Sequence, residues 1–336
     1  MRKVKIALIG INRLSHGTHV LNSLKKQSDL FDLVGYVLPE GERKKFPEIM
    51  PQLDGLQELT LSEVLENPEI EAVAVETEEI YLTKYATLAA RFGKHIHMEK
   101  PGGTSLSEFS ELIAAVKEGG KTFHIGYMYR YNPFVCELLE QIKRGDLGKI
   151  ISVEAQMNCR HLKENRAWLS QFPGGMMFFL GCHLVDLILQ IQGMPERVIP
   201  LSRATETDGV TAQDFGMAVF TYANGVSFAK TCACETGGFT RRQLVVTGSL
   251  GTVELKPFET LIDGGQFTTE TRYTDTTDWF DVGVTRNSPI HDRYDPMLAS
   301  FAEMVRGEKS NPWSYDYEFA LYRTILAACG KSEEDV

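Results

Sequence analysis

Two stretches of this chain carry side chains whose type and spacing could do chemistry. In residues 95–101, His-Ile-His-Met-Glu-Lys-Pro, a short apolar strand runs straight into a Glu-Lys-Pro turn. Such a turn holds one lysine at the carboxyl end of a sheet, where ligands bind in open α/β architectures. Pro101 fixes its own φ and biases Lys100 toward an extended backbone, so the ammonium is presented from a stiff base. The competing reading is a surface lysine ahead of a helix, with Ser105 as N-cap and Glu108 three residues on. In the second stretch, residues 173–186, Gly174 and Gly175 bend the chain into a helix on which His183 and Asp186 share a face. A histidine whose other nitrogen is hydrogen-bonded is a ready general base near neutral pH. Asp186 could orient that histidine or anchor its helix, and anchoring is the expected role.

The elements that must position these groups alternate in the first 126 residues. An apolar run over 4–9 ends at Gly10 and leads into a helix over about 16–27. Strands are expected at 33–38, 72–75, 96–98 and 123–126, with helices near 61–65, 81–92 and 106–116. Strands alternating with helices of this length imply a doubly wound parallel sheet. Beyond Gly126 the pattern turns β-rich, with segments 151–157, 217–222, 226–232, 243–247 and 252–255 separated by glycine turns that suggest antiparallel meanders. Helices are expected near 184–191, 295–305 and 315–329. The predicted division is residues 1–126 as a dinucleotide-binding domain and 127–336 as a substrate-binding domain, the last helix packing back on the first.

The turn after the first strand reads Gly10-Ile11-Asn12-Arg13-Leu14-Ser15-His16-Gly17, so of the three glycines a dinucleotide cradle uses only the first is in place. Asn12 tolerates a left-handed backbone, and Ser15 is small enough for close packing. The acid expected after the second strand, which would hold the adenosine ribose, is replaced near Leu38 and Pro39. Glu40 and Glu42 follow in a loop, and then Arg43, Lys44 and Lys45. A missing acid beside a basic cluster favours a 2′-phosphate, unless the cluster is merely a solvated helix face.

A net charge of −10 argues against nucleic acid or an anionic membrane as main partner. With 43% apolar residues but no run of 18, the composition is that of an ordinary globular protein. Residues 4–9 are too short a run for a signal peptide, and six scattered cysteines without C-x-x-C spacing suggest reduced thiols, so a cytoplasmic protein is expected. Cys232 and Cys234 would share one strand face, with no further pair at ligand spacing, and no metal site is expected.

With Glu99-Lys100-Pro101 after the fourth strand, residues 126–133 (Gly-Tyr-Met-Tyr-Arg-Tyr-Asn-Pro) after the fifth, and Gly174-Gly175 leading to His183 and Asp186, the chain resembles the glucose-fructose oxidoreductase/inositol dehydrogenase/rhizopine catabolism (Gfo/Idh/MocA) family nearly end to end. The resemblance implies an α/β fold: an N-terminal Rossmann domain with a doubly wound parallel sheet, and a C-terminal α+β domain with a large open, mostly antiparallel sheet. It also implies NAD or NADP, a sugar or polyol substrate, and homodimers or homotetramers. Carried onto matching positions, Lys100 would bond the reacting hydroxyl and the nicotinamide ribose, and His183 would take or give the substrate proton. Gly10, Asn12, Arg13, Leu14, Leu38, Arg43, Thr77, Glu99 and Lys100 would line the cofactor. Tyr127, Tyr129, Arg160, Trp168, Phe179 and His183 are the candidates for binding substrate, with Trp168 the leading aromatic for a sugar face.

Two departures stand against the pattern. The aspartate that many members place four residues before the histidine is Phe179 here, and the threonine-proline turn after the third strand reads Glu76-Thr77-Glu78-Glu79. Carboxylates added there would repel a pyrophosphate or nicotinamide if they pointed inward. Three functions remain open at this point: a working oxidoreductase, a glycosidase or lyase using tightly held NAD for transient oxidation, and a non-catalytic sensor or assembly partner.

Overall fold

In the computed structural model, which describes residues 2–12 and 16–331, contact density divides the chain into two units. One comprises residues 1–127 with 294–322, the other 128–293 with 323–336. The first contains a parallel sheet of β1 (Val4–Ile9), β2 (Phe31–Val37), β3 (Ala72–Val75), β4 (His95–Met98) and β5 (Phe123–Ile125), in the order β2-β1-β3-β4-β5. A single parallel bridge from Tyr36 to Glu58 stands where a further strand would extend the β2 edge. All four residues of β3 and the apolar residues of β1 are fully buried, as expected of central strands covered on both faces. The strand order reverses between β1 and β3, so the loops after these two strands, beginning at Gly10 and Glu76, flank the ligand-binding edge of such a sheet.

Helices α1 (Gly17–Lys26), α2 (Glu42–Lys45), α3 (Leu61–Leu65), α4 (Leu82–Arg91) and α5 (Leu106–Gly119) connect the strands. Thr60 closes α3 with a capping box to Glu63, and Ser105 caps α5 by accepting from the Glu108 N–H. Of the later helices, α9 (Asp295–Val305) belongs to this unit, and Asp295 accepts from Ser23 (2.5 Å) and Lys26 on α1. Most of α10 (Tyr315–Ala328) also falls in it.

The second unit is built on an eight-stranded mixed sheet with the order β15-β14-β11-β10-β6-β9-β8-β7. Its strands are β6 (Ile150–Asn158), β7 (Arg197–Pro200), β8 (Phe215–Tyr222), β9 (Gly225–Cys232), β10 (Gln243–Gly248), β11 (Thr252–Leu255), β14 (Glu270–Thr274) and β15 (Val284–Asn287). Three short strands, β12 (Thr260–Leu261), β13 (Gln266–Thr268) and β16 (His291–Asp292), form a small separate sheet. The expected meanders hold at the hairpins β8–β9 and β10–β11, but β6 pairs with β9 in parallel. The unit's helices are α6 (Pro133–Arg144), α7 (Lys163–Trp168) and α8 (Cys182–Gln192). Helix α6, which the sequence reading passed over, carries a plain start signal, with Asn132 accepting from two backbone N–H groups and Pro133 at the first position. No helix among the described residues is long and apolar enough to cross a membrane.

Candidate functional site

Lys100 sits in a buried cluster of charge at the ends of β3 and β4. Val75 and Met98 are paired in the parallel ladder, so the next residue of each strand, Glu76 and Glu99, emerges beside the other. The Lys100 ammonium lies 3.5 Å from Glu99 Oε1, which is also 3.1 Å from His16 Nδ1. Glu76 and Glu79 are fully buried, and neither carboxylate has a hydrogen-bond partner among the described residues. Glu76 Oε1 is 3.6 Å from His97 Nε2, and His97 Nδ1 lies 2.8 Å from His124 Nδ1. Burial pushes Glu79 up to about 7 against the pull of Lys100, and burial reinforced by Glu99 and Glu79 holds Glu76 well above the usual carboxylate range. Burial also acts upward on Glu99, but His16 and Lys100 together hold it below its ordinary value. His97 is pushed down to about 4 by burial and is neutral. The cluster therefore pairs one ionised carboxylate, Glu99, with the lysine, while burial favours the neutral form of Glu76 and leaves Glu79 titrating near neutral pH.

Lys100 is not the surface lysine of the competing reading: it is 1% exposed. The turn that follows it is pressed onto α4 and α5, where a Cβ on Gly102 (φ +119°) would lie 2.5 Å from the Phe109 ring and one on Gly103 (φ +83°) 2.7 Å from Thr83 Oγ1. Only glycine permits that approach, and it draws the lysine inside. Ser105 does cap the helix beyond, so the capping and the interior lysine coexist.

The turn after β1 is built around Gly10, at φ +81°, where a Cβ would lie 2.4 Å from Thr77 Cγ2. Asn12, buried, donates from Nδ2 to the Thr77 carbonyl at 3.0 Å and so ties this turn to the end of β3. Arg13, Leu14 and Ser15 lie outside the described residues. Gly17 opens α1 against the Glu76 Cβ, 3.2 Å from where its own would stand. It thus gives the close helix-to-strand approach of a dinucleotide turn, two residues later than the sequence reading looked for it. Leu38 is half-buried, whereas Arg43 is exposed and donates to Glu58 at 2.6 Å. Lys45 donates to Glu78 at 2.6 Å, so of the acids after β3 Glu78 faces outward while Glu76 and Glu79 face in.

In the second unit His183 follows a π-helical turn over Met177–Gly181 that runs into α8, a rare element that recurs at functional sites. A Cβ on Gly175 (φ +51°) would lie 2.2 Å from the Gln213 carbonyl oxygen, which requires glycine where the chain enters this turn. The buried His183 ring stands edge-on to Tyr129 at 4.9 Å. Asp186 takes a bidentate contact from Arg130 (Nε 3.0 Å, the terminal nitrogen 2.8 Å) and a third bond from Gln190 (2.8 Å). Its carboxylate anchors α8 to the turn over 128–131. The Tyr129 hydroxyl donates to Glu259 (2.9 Å) and accepts from Arg242 (2.9 Å), while Glu259 also binds Arg293. Burial, with Glu259 beside it, pushes that phenol up to about 12. This network of Arg242, Glu259 and Arg293 had no local sequence signal, because its members come from separate strands and loops.

Of the remaining candidates, Phe179 is half-buried and packs edge-on to Trp168 at 5.2 Å, and Trp168 meets Phe172 at 4.7 Å. Arg160 is exposed and donates to Thr236 Oγ1 at 2.6 Å. Tyr127 is buried at the end of the first unit. The fold therefore gathers Gly10, Asn12, Thr77, Glu99 and Lys100 in one unit, and the pairs Tyr129–His183 and Trp168–Phe179 in the other. Among the described residues no group of three or more His, Cys, Asp and Glu side chains could hold a metal ion.

A parallel sheet with a glycine turn at its switch point, followed by a large mixed sheet, defines a class of two-domain oxidoreductase folds. Comparison with known proteins agrees. Residues 4–127 match the oxidoreductase family with an NAD-binding Rossmann fold, and residues 135–254 match a Gfo/Idh/MocA C-terminal domain. The chain belongs to the Gfo/Idh/MocA family.

Among curated relatives it is similar to trans-1,2-dihydrobenzene-1,2-diol dehydrogenase of Bos taurus, 25% identical over 60% of this chain and 61% of that one. It is also similar to the NADP-dependent scyllo-inositol 2-dehydrogenase IolW of Bacillus subtilis, 26% identical over 47% of this chain and 45% of the relative. The matches thus span about half the length of these relatives. Among solved structures, the aldose-aldose oxidoreductase of Caulobacter crescentus in complex with glycerol shares the fold at a TM-score of 0.78, with 18% identity over 98% of each chain.

Proposed function

We propose that the protein is a nicotinamide-dependent oxidoreductase that interconverts a CH–OH group and a carbonyl on a sugar, polyol or related small molecule. The observation that carries this reading is Lys100 at the end of β4, held against Glu99, in the unit whose β1 turn is drawn tightly onto Thr77. The residues present fit a dinucleotide: Gly10, at φ +81°, lets the β1 turn close onto Thr77 where a side chain would clash, and Gly17 brings the start of α1 against the end of β3. The inward carboxylates Glu76 and Glu79 do not oppose that fit as two fixed charges, since burial favours their neutral form. Gly10, Asn12, Thr77, Glu99 and Lys100 are the proposed holders, and the bound nicotinamide would supply or accept the hydride.

In this reading Lys100 donates a hydrogen bond to the reacting oxygen and stabilises negative charge as it develops there. Glu99 keeps the ammonium in place, and Glu79, poised near neutrality, is a nearby store for a proton. His183 takes or gives the substrate proton. Asp186, whose oxygens accept from Arg130 and Gln190, serves in this reading to anchor the helix that carries His183. Trp168 and Phe179 offer ring surface for sugar C–H faces, and Tyr127, Tyr129 and Arg160 complete the proposed substrate set.

The test is titration of the purified protein with NADH and NADPH by nicotinamide fluorescence, with mass spectrometry of denatured protein for retained dinucleotide. Micromolar binding of exchangeable cofactor is expected. Retained, non-exchanging NAD would favour transient oxidation within a glycosidase or lyase, and no binding at millimolar concentration would leave the sensor or assembly reading.

A further inference from the structure

The strand β2 ends at Val37 and Leu38 without an acid, but an acid is delivered to the β1 turn from elsewhere. Glu40 (φ +56°) and Gly41 (φ +74°) both turn left-handed, which swings the start of α2 back toward β1. Glu40 is fastened by Lys84 (2.5 Å) and Tyr85 (2.7 Å), and the far end of α2 by the Lys45–Glu78 pair. Within this loop Glu42 is fully buried, and its Oε2 accepts from the Ile11 backbone N–H at 3.1 Å. Its Oε1 is buried with no hydrogen-bond partner among the described residues. Burial, outweighing the bond from Ile11, pushes this carboxyl up to about 8. An orphaned buried acceptor in a loop pinned at both ends calls for a ligand that completes it.

Ile11 directly follows Gly10, so its amide is one that a phosphate could have used. Glu42 has taken it. What remains on offer is an acceptor oxygen, or, when the carboxyl is protonated, a hydroxyl. Ribose hydroxyls both donate and accept and suit either state, whereas a phosphate dianion only accepts and is repelled by the ionised form. Among the described residues the cations of this loop do not reverse this: Arg43 is engaged with Glu58 and Lys45 with Glu78, and Lys44 is exposed and makes no ion pair with a described residue.

We propose that Glu42 holds the adenosine ribose hydroxyls of the dinucleotide, standing in from α2 for the acid missing after β2, and thereby selects NAD over NADP. This rests on the nicotinamide-dependent reading above.

The test is calorimetric titration of the full chain with NAD and NADP, and with the half-ligands AMP and adenosine 2′,5′-bisphosphate, for the wild type, Glu42→Gln and Lys44→Ala. Above about pH 8, where the carboxyl is ionised, the wild type should bind NAD and AMP about tenfold or more tightly than their 2′-phosphorylated counterparts, the scale of one charged hydrogen bond. Glu42→Gln should bring the two forms close together, and Lys44→Ala should leave the ratio in place. Equal or tighter binding of NADP by the wild type overturns the proposal while leaving the oxidoreductase reading intact. So does a rise in affinity for both forms in Glu42→Gln, which would make the carboxylate a plug in the turn. Failure of all four ligands to bind overturns both.

Discussion

Replacing Glu79 with glutamine should stabilise the protein, and only above a defined pH. The Glu79 carboxyl is fully buried, has no side-chain hydrogen-bond partner among the described residues, and rises from an ordinary 4.5 to about 7. Between those two values the folded state binds more protons than the unfolded one, so stability falls as pH rises through the window, and the penalty is complete above pH 7. At 1.36 kcal/mol per pH unit, the difference between 4.5 and 7 amounts to about 3 kcal/mol. No discount for solvent screening applies to a group this deeply buried. Glu79→Gln keeps the shape and abolishes the titration. The variant should therefore match the wild type near pH 4.5 and exceed it by about 3 kcal/mol at pH 8. Hydrogen exchange of peptides covering β3 and β4 reads this unit directly, and comparing the two proteins at one pH cancels the intrinsic exchange rate. At pH 8 the fully protected amides of the variant should exchange about a hundredfold more slowly than those of the wild type. A protection ratio that is the same at pH 5 and pH 8 would refute the buried, unpaired carboxylate.

Lys100→Met removes the cation that Glu76, Glu79 and Glu99 share, and should destabilise the first unit by about 3–5 kcal/mol at pH 8 and less at pH 5, where Glu79 has taken up its proton while Glu99 stays ionised, as urea unfolding at the two pH values will show. Arg130→Met leaves the Asp186 carboxylate buried without its bidentate partner and should cost about 3–5 kcal/mol by the same assay. Asp186→Asn should likewise lower stability while leaving the pH dependence of turnover in place, because that carboxylate serves Arg130 and Gln190; a shifted profile would assign it to His183. Gly175→Ala forces a Cβ to 2.2 Å from the Gln213 carbonyl oxygen and should lower the melting temperature or abolish soluble expression, whereas Gly41→Ala, with open space around it, should cost about 1 kcal/mol.

The elements of the first unit were legible because their signals are local. Periodicity and buried runs gave β1, β3, β4 and α4 to within a residue or two, and the Glu-Lys-Pro turn singled out Lys100. Its burial was not legible, since it depends on Gly102 and Gly103 meeting Phe109 and Thr83 from other helices. Glu42 was noted only as a loop acid, because its inward course is set by two left-handed residues and by bonds to α4. The strands of the second unit were readable, but the parallel pairing of β6 with β9 is a long-range choice that alternation does not encode. The π-helical turn was hidden for a related reason: Met177–Gly181 is an apolar run that reads equally well as ordinary helix. The network around Tyr129 joins residues up to 164 positions apart in the chain, from Tyr129 to Arg293, beyond the reach of any spacing rule.

Hydride transfer itself is the most direct measure of the central claim. Purified protein with saturating NAD or NADP should be offered a panel of aldoses, polyols and hydroxy acids while the absorbance of the reduced nicotinamide is followed, with Lys100→Met as the control for chemistry. The account predicts that at least one CH–OH compound raises that absorbance, and that the variant, at cofactor concentrations raised until it is saturated, turns over at least about a hundredfold more slowly. Cofactor that binds but is never reduced by any member of the panel, or a Lys100 variant with undiminished turnover, would contradict it.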